Sequence, residues 1–151
     1  MSLIPNILYQ VGTNISTYSK EWIANNHDYR FMLLDDAKCD HIVSMTNNNV
    51  INSYKRVKLG VMKADICRLA ILSVSGGVYA DLDVKPYKSL RYAIPRDATL
   101  VSSEYYSFEF MAAIPHHPFI DFALNETSRR IDEEIDRCNR DHICCRGHMH
   151  V

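Results

Sequence analysis

The sequence predicts an α/β protein with a Rossmann-like arrangement of strands and helices. Short apolar runs alternate with stretches of helical periodicity, the loops between them are short, and one glycine-rich step leads from a helix into a strand that ends in acidic residues. Alternation of this kind favours a largely parallel sheet rather than an all-helical or all-β domain. At 151 residues the chain fits one domain with a sizeable core. Its 47% hydrophobic and 23% charged residues are those of an ordinary globular protein.

Residues 4–11 read as a first buried strand, and Gly12 opens the loop beyond it. Ser16 and Thr17 are candidate N-caps for a helix through Trp22 to about Asn26. Residues 29–34 form a second strand, which Asp35 and Asp36 end while capping the next helix. Polar punctuation at 46–49 precedes a helical stretch over 50–57. A further helix carries Ile66, Leu69, Ala70 and Ile71 and is apolar on most sides. Gly76 and Gly77 end it, because glycine takes the left-handed turn at a helix C-terminus cheaply. Strands follow at about 78–83, 99–103 and 108–113, and residues 118–137 form an amphipathic helix.

Chemistry concentrates at the third strand. Asp81 and Asp83 flank Leu82, so strand alternation puts both carboxylates on one face and Leu82 in the core. Pro86 stops the strand, which places the carboxylates at its C-terminal end, where open α/β sheets bind ligands. Two adjacent anions call for a cation between them, and Mg²⁺ or Mn²⁺ with oxygen ligands keeps open positions for substrate phosphates. An isolated Asp-x-Asp triplet is more often solvated surface. The preceding helix adds weight here, because Asp65 and Arg68 stand at i and i+3 on a mostly buried surface. Such a pair is either an internal ion pair or two polar groups aimed into a site.

Ala64-Asp65-x-x-Arg68 followed by Gly76-Gly77-x-Tyr79-x-Asp81-x-Asp83 resembles the signature of glycosyltransferases with a DXD sugar-binding region. These include initiating α-1,6-mannosyltransferases, capsular-polysaccharide sugar transferases and, more distantly, the clostridial glucosylating toxins. The likeness extends over roughly residues 4–125: an Ile-Pro-Lys-Ile-Ile-His-Gln-like strand at Ile4 to Gln10, then Trp22, Asn26, Tyr29, Asp35 and Asp36, then residues 111–119. Tyr9 replaces the family's usual first-strand His, Gly12 stands where an aromatic is expected, and Leu34 where Trp is common.

The resemblance implies a GT-A type nucleotide-diphospho-sugar transferase fold, C-terminally shortened. It also implies transfer of a sugar, with retention, from a UDP- or GDP-linked donor to a glycan or protein acceptor. Asp83, with Asp81, is then the metal site for Mn²⁺ or Mg²⁺. Asp65, Arg68 and Asp81 act at the sugar and diphosphate, and Tyr9, Gln10, Gly77 and Tyr79 line the donor pocket. A non-catalytic nucleotide-sugar or carbohydrate-binding remnant is the alternative. A phosphotransferase of the haloacid-dehalogenase type fits poorly, because its aspartates follow the first strand. His116 and His117 read as loop residues and Trp22 as core.

Net charge of −1 leaves no electrostatic footprint for nucleic acid. No stretch approaches the ~20 apolar residues of a membrane span, and residues 1–14 lack a signal-peptide pattern. The five cysteines do not read as a disulfide framework. A reducing, cytoplasmic location is therefore expected, with the sequons at Asn14 and Asn125 coincidental. Residues 1–137 are expected to form the transferase-like domain and residues 138–151 a flexible Cys/His-containing tail without apolar periodicity. Zinc is the lesser reading of that tail.

Overall fold

The computed structural model describes residues 2–103 and 108–140. Its centre is a five-stranded sheet of β1 (Ile7–Val11), β2 (Arg30–Leu34), β3 (Gly77–Ala80), β4 (Leu100–Ser102) and β5 (Phe110–Ala113). The spatial order is β2-β1-β3-β5-β4. The first three strands are parallel, and β5 and β4 extend the sheet antiparallel. The chain runs outward from β1 to β2, then crosses back to place β3 on the other side of β1. The C-terminal ends of β1 and β3 thus border the point where strand order reverses.

Strand alternation divides the core into two layers. Tyr9, Leu34, Tyr79, Met111 and Ala113 face one side and pack on α2 (Asp36–Ser44), α3 (Asn48–Arg56), α4 (Gly60–Ser75) and α6 (Pro118–Arg140). Leu8, Val78, Ala80 and Ala112 face the other and pack on α1 (Thr17–Asn25) and the single-turn α5 (Leu90–Ala93). The helix boundaries have local causes. Ser16 caps α1 in a reciprocal arrangement with Ser19, and Asp35 and Asn47 accept from the third backbone N–H of α2 and α3. Gly76 ends α4 at φ +62° and Gly77 follows at +111°, and a Cβ on Gly76 would lie 2.7 Å from Pro115. Both glycines are therefore required.

Three expectations need correction, and one element is absent from the sequence reading. Strand β3 ends at Ala80, and Asp81–Val84 close a turn in which Val84 N–H donates to the Asp81 carbonyl (3.1 Å). The alternation argument for pairing Asp81 with Asp83 therefore does not hold. Cys39 and Cys67 are disulfide-bonded, with Cα atoms 5.4 Å apart, because α2 packs along α4. Spacing along the chain could not show that the two cysteines are neighbours. The one-turn α5 is too short to leave a periodic signal. Finally, α6 continues through Cys138 to Arg140, so the proposed tail loses its first three residues to a helix. Residues 141–151, with the Cys/His cluster expected there, lie outside the described residues.

Candidate functional site

The site is built where α4 passes the C-terminal end of β3. Arg68 is at its centre, with only 12% of its side chain exposed. One guanidinium nitrogen meets Asp65 Oδ1 at 2.9 Å, the expected i, i+3 contact within α4. The other donates to Asp81 Oδ2 at 3.3 Å and to the carbonyl of Phe108 at 3.2 Å. Its planar head lies 5.1 Å from the centroid of the Tyr79 ring, a cation–π distance. Tyr79 is buried, and its hydroxyl donates to Asp81 Oδ1 at 2.5 Å. Both oxygens of Asp81 are thus engaged, one by a phenol and one by a guanidinium. Arg68 Nε is buried without a partner among the described residues, a spare donor of the sort that binding sites keep.

Burial raises the pKa of Asp65 above the ordinary carboxylate value. The Arg68 charge opposes that shift and the Asp81 charge adds to it. Burial likewise pushes the Tyr79 phenol up, so it remains a donor to Asp81 throughout the physiological range. The sign for Asp65 follows by linkage. A carboxyl whose folded pKa exceeds its unfolded one favours the fold below the unfolded value, and that contribution is lost as pH rises through the folded value. Asp65→Asn is therefore expected to be at least as stable as the parent at pH 7. Its advantage should disappear as pH falls below 3.8, the ordinary value for an aspartate. Thermal melts of both proteins between pH 3 and 8 check this; a variant less stable at pH 7 contradicts it.

Asp83 is exposed and makes no hydrogen bond or ion pair among the described residues. Among those residues no group of three or more His, Cys, Asp or Glu side chains is assembled for a metal ion. The site thus fits a hard divalent cation only in one form. A carboxylate without a partner among the described residues would supply an anchor, with most of the shell coming from outside the protein, as Mg²⁺ tolerates. It does not fit a closed, all-protein cage.

The remaining expected residues divide. Gln10 is fully buried beneath the turn, its Nε2 on the Asp81 carbonyl (3.1 Å) and its Oε1 on the Ser19 hydroxyl (2.5 Å). It supports the turn and offers no free polar atom to a ligand. Gly77 starts β3 at the opposite end of the sheet from Asp81, and Tyr9, paired with Tyr79 in mid-strand, turns its ring towards that end. The Tyr9 ring is buried against Gly77, with Ser75 and Arg30 near its phenol. Neither is brought to the carboxylates. His116 and His117 follow β5 at that same far end, His116 N–H donating to the Ser73 carbonyl. A cleft of about 460 Å³ lined by Asn25, His27, Asp28, Ser89, Arg91 and Tyr92 also lies there, before β2 begins. It contains none of the carboxylates or their partners.

A family model described as "Glycosyltransferase sugar-binding region containing DXD motif" matches residues 12–106. The chain belongs to this glycosyltransferase family. Its relatives include the initiation-specific alpha-1,6-mannosyltransferase of Schizosaccharomyces pombe, 28% identical over 104 residues, covering 62% of this chain and 26% of that protein. Inositol phosphoceramide mannosyltransferase 1 of the same yeast is 27% identical over 147 residues, covering 85% of this chain and 44% of the relative. The chain thus spans less than half the length of either. Among solved structures, PaToxG Glycosyltransferase superposes with a TM-score of 0.62 at 16% identity, over 91% of this chain and 61% of the other. That likeness identifies the fold as GT-A type. No helix among the described residues of this glycosyltransferase-family chain is long and apolar enough to cross a membrane.

Sequence reasoning missed the residues that hold the turn. Ser16 counts there only as a cap and Trp22 only as core. Yet the Ser16 hydroxyl donates to the Leu82 carbonyl (2.6 Å), and the Trp22 indole N–H donates to the Val84 carbonyl (2.8 Å). A signal was present: a glutamine in an apolar strand and a buried tryptophan both need hydrogen-bond partners.

Proposed function

We propose that this chain is the donor-binding part of a metal-dependent glycosyltransferase that moves a sugar from a nucleotide-diphosphate donor, UDP- or GDP-linked, to a glycan or protein acceptor. The observation that carries the reading is the Asp83 carboxylate, exposed and unpaired among the described residues, beside the Asp65–Arg68–Asp81–Tyr79 network at the C-terminal end of β3. The names of the yeast relatives favour a mannosyl donor, and the family likeness favours retention of configuration.

Asp83 would hold Mn²⁺ or Mg²⁺, which supplies Lewis-acid neutralisation of a departing diphosphate. Arg68, fixed by two carboxylates, supplies a cation already in place and needing no reorganisation. Asp65 has one oxygen on Arg68 and the side chain 30% exposed, so its second oxygen accepts a sugar hydroxyl. Asp81, with both oxygens engaged, serves as the pivot of the network and a contact for ribose or a metal-bound water. The buried Cys39–Cys67 disulfide favours an oxidising compartment over the cytoplasmic one expected from the cysteine count.

Calorimetric titration of Mn²⁺, with and without GDP or UDP, tests the reading. Metal uptake is expected to strengthen at least about tenfold when a nucleotide is present. Asp83→Asn is expected to abolish that coupling, and equal uptake by both proteins would refute the metal site. A donor panel including GDP-mannose then separates enzyme from binding module: metal-dependent release of the diphosphate supports the transferase, whereas binding without turnover leaves the non-catalytic alternative.

A further inference from the structure

We propose that Gln10, Ser16 and Trp22 form a clamp on the backbone of the Asp81–Val84 turn, and that this clamp sets the affinity of the site for a metal-bound nucleoside diphosphate. The second half rests on the functional reading above. Three donors from β1, the α1 cap and α1 reach three carbonyls of one four-residue turn: Gln10 Nε2 to Asp81 (3.1 Å), Ser16 Oγ to Leu82 (2.6 Å) and Trp22 Nε1 to Val84 (2.8 Å). None of the three side chains has to touch a ligand. They act through the turn, as positioning residues.

The hydrogen-bond polarity leaves little freedom. The Ser19 hydroxyl donates to Gln10 Oε1 at 2.5 Å, which turns the Gln10 amide nitrogen towards the Asp81 carbonyl. Ser16 Oγ accepts from the Ser19 backbone N–H at 3.1 Å as the α1 cap, so its proton is available for Leu82. One hydroxyl therefore both starts α1 and holds the turn. Gln10 and Ser19 are fully buried, and a buried amide or hydroxyl is costly unless every partner is in place. That condition is met only with the turn in this conformation. Leu82 closes the arrangement by packing over Gly12, where a Cβ would come within 2.5 Å of its Cδ1. The consequence is a preorganised backbone that aims Asp83 outward while Asp81 stays on Arg68, which removes an ordering cost from binding.

Trp22 is the sole tryptophan of the chain, so its fluorescence reports on the turn directly. The test uses the full chain and four proteins: parent, Gln10→Met, Ser16→Ala and Ser16→Thr, with folding checked by circular dichroism. Ser16→Ala guards against a Gln10→Met protein that fails to fold. Two quantities are read well below the melting temperature: acrylamide quenching of Trp22 without ligand, and the Kd for GDP and for UDP in saturating Mn²⁺. Expected are a quenching constant raised at least about twofold and a Kd raised roughly tenfold in Gln10→Met and Ser16→Ala, as preorganisation is lost. Ser16→Thr, which keeps the hydroxyl, should restore both. Unchanged quenching in both variants overturns the clamp. Raised quenching with an unchanged Kd overturns its role in binding. If the parent binds neither nucleotide, the donor-binding reading fails and the affinity claim with it, while quenching still decides whether the clamp exists.

Discussion

Arg68→Met is expected to lose about 3 kcal/mol of stability and to weaken binding of a metal-bound nucleoside diphosphate by roughly 100-fold. Among the described residues Arg68 is the sole cation paired with Asp65 and with Asp81, and it is largely buried. Removing it leaves two half-buried carboxylates facing each other and a phenol hydrogen-bonded to one of them. Breaking a buried pair by deleting one partner costs several kcal/mol when burial is complete. The exposure of 30% and 27% at the two aspartates sets the expectation at the lower end of that range. In a domain of this size the loss corresponds to a fall in Tm of roughly 6–12 °C. The deficit should shrink as pH falls and Asp65, whose pKa burial raises, takes up its proton, because a neutral Asp65 no longer repels its neighbour. Arg68→Lys should recover part of the stability and little of the binding, since an ammonium cannot bridge both carboxylates as a planar fork does. Melts from pH 4 to 8 with calorimetric nucleotide binding decide the matter. Binding within threefold of the parent would remove Arg68 from the site.

Replacing both Cys39 and Cys67 by alanine is expected to cost about 3–4 kcal/mol, the chain-entropy value for a cross-link spanning 28 residues. Both cysteines are buried in the core between α2 and α4, so reductant reaches the bond only through unfolding or a large opening. The parent should therefore melt at nearly the same temperature with or without a brief exposure to reductant. After unfolding and refolding in reductant it should instead resemble the double variant, with Tm lower by roughly 10 °C. Because Cys67 immediately precedes Arg68, the same variant should also bind Mn²⁺–nucleotide more weakly. Identical melting of oxidised, reduced and double-alanine proteins would show that the bond contributes nothing to stability.

The elements with local causes were legible in the sequence. Apolar runs located β1, β2 and β5. Ser16 and Asp35 marked the starts of α1 and α2 through side-chain capping, a short-range interaction written within four residues. Gly76 and Gly77 announced a backbone that only glycine adopts readily. The Asp65–Arg68 contact was legible for the same reason, since helical pitch alone brings i and i+3 together. Family likeness then pointed to Asp81 and Asp83.

What depends on distance in sequence was decided only by the tertiary structure. The Cys39–Cys67 bond exists because two helices pack side by side, which no spacing rule encodes. The last ladder contact of β3 is Asp81 N–H to the Glu109 carbonyl; Leu82 and Asp83 then turn away, so their alternation could not be projected from Val78 and Tyr79. Tyr9 and Gly77 lie in motif-bearing segments, yet side-chain direction carries Tyr9 to the far end of the sheet and chain direction starts β3 there. Gln10, Ser16 and Trp22 show the converse. Ser16 and Trp22 looked structural in the sequence and Gln10 was expected in the donor pocket, yet each donates to a carbonyl more than sixty residues away in the turn that carries the aspartates. A buried polar side chain declares in sequence that it must have a partner; which partner it finds is determined by packing.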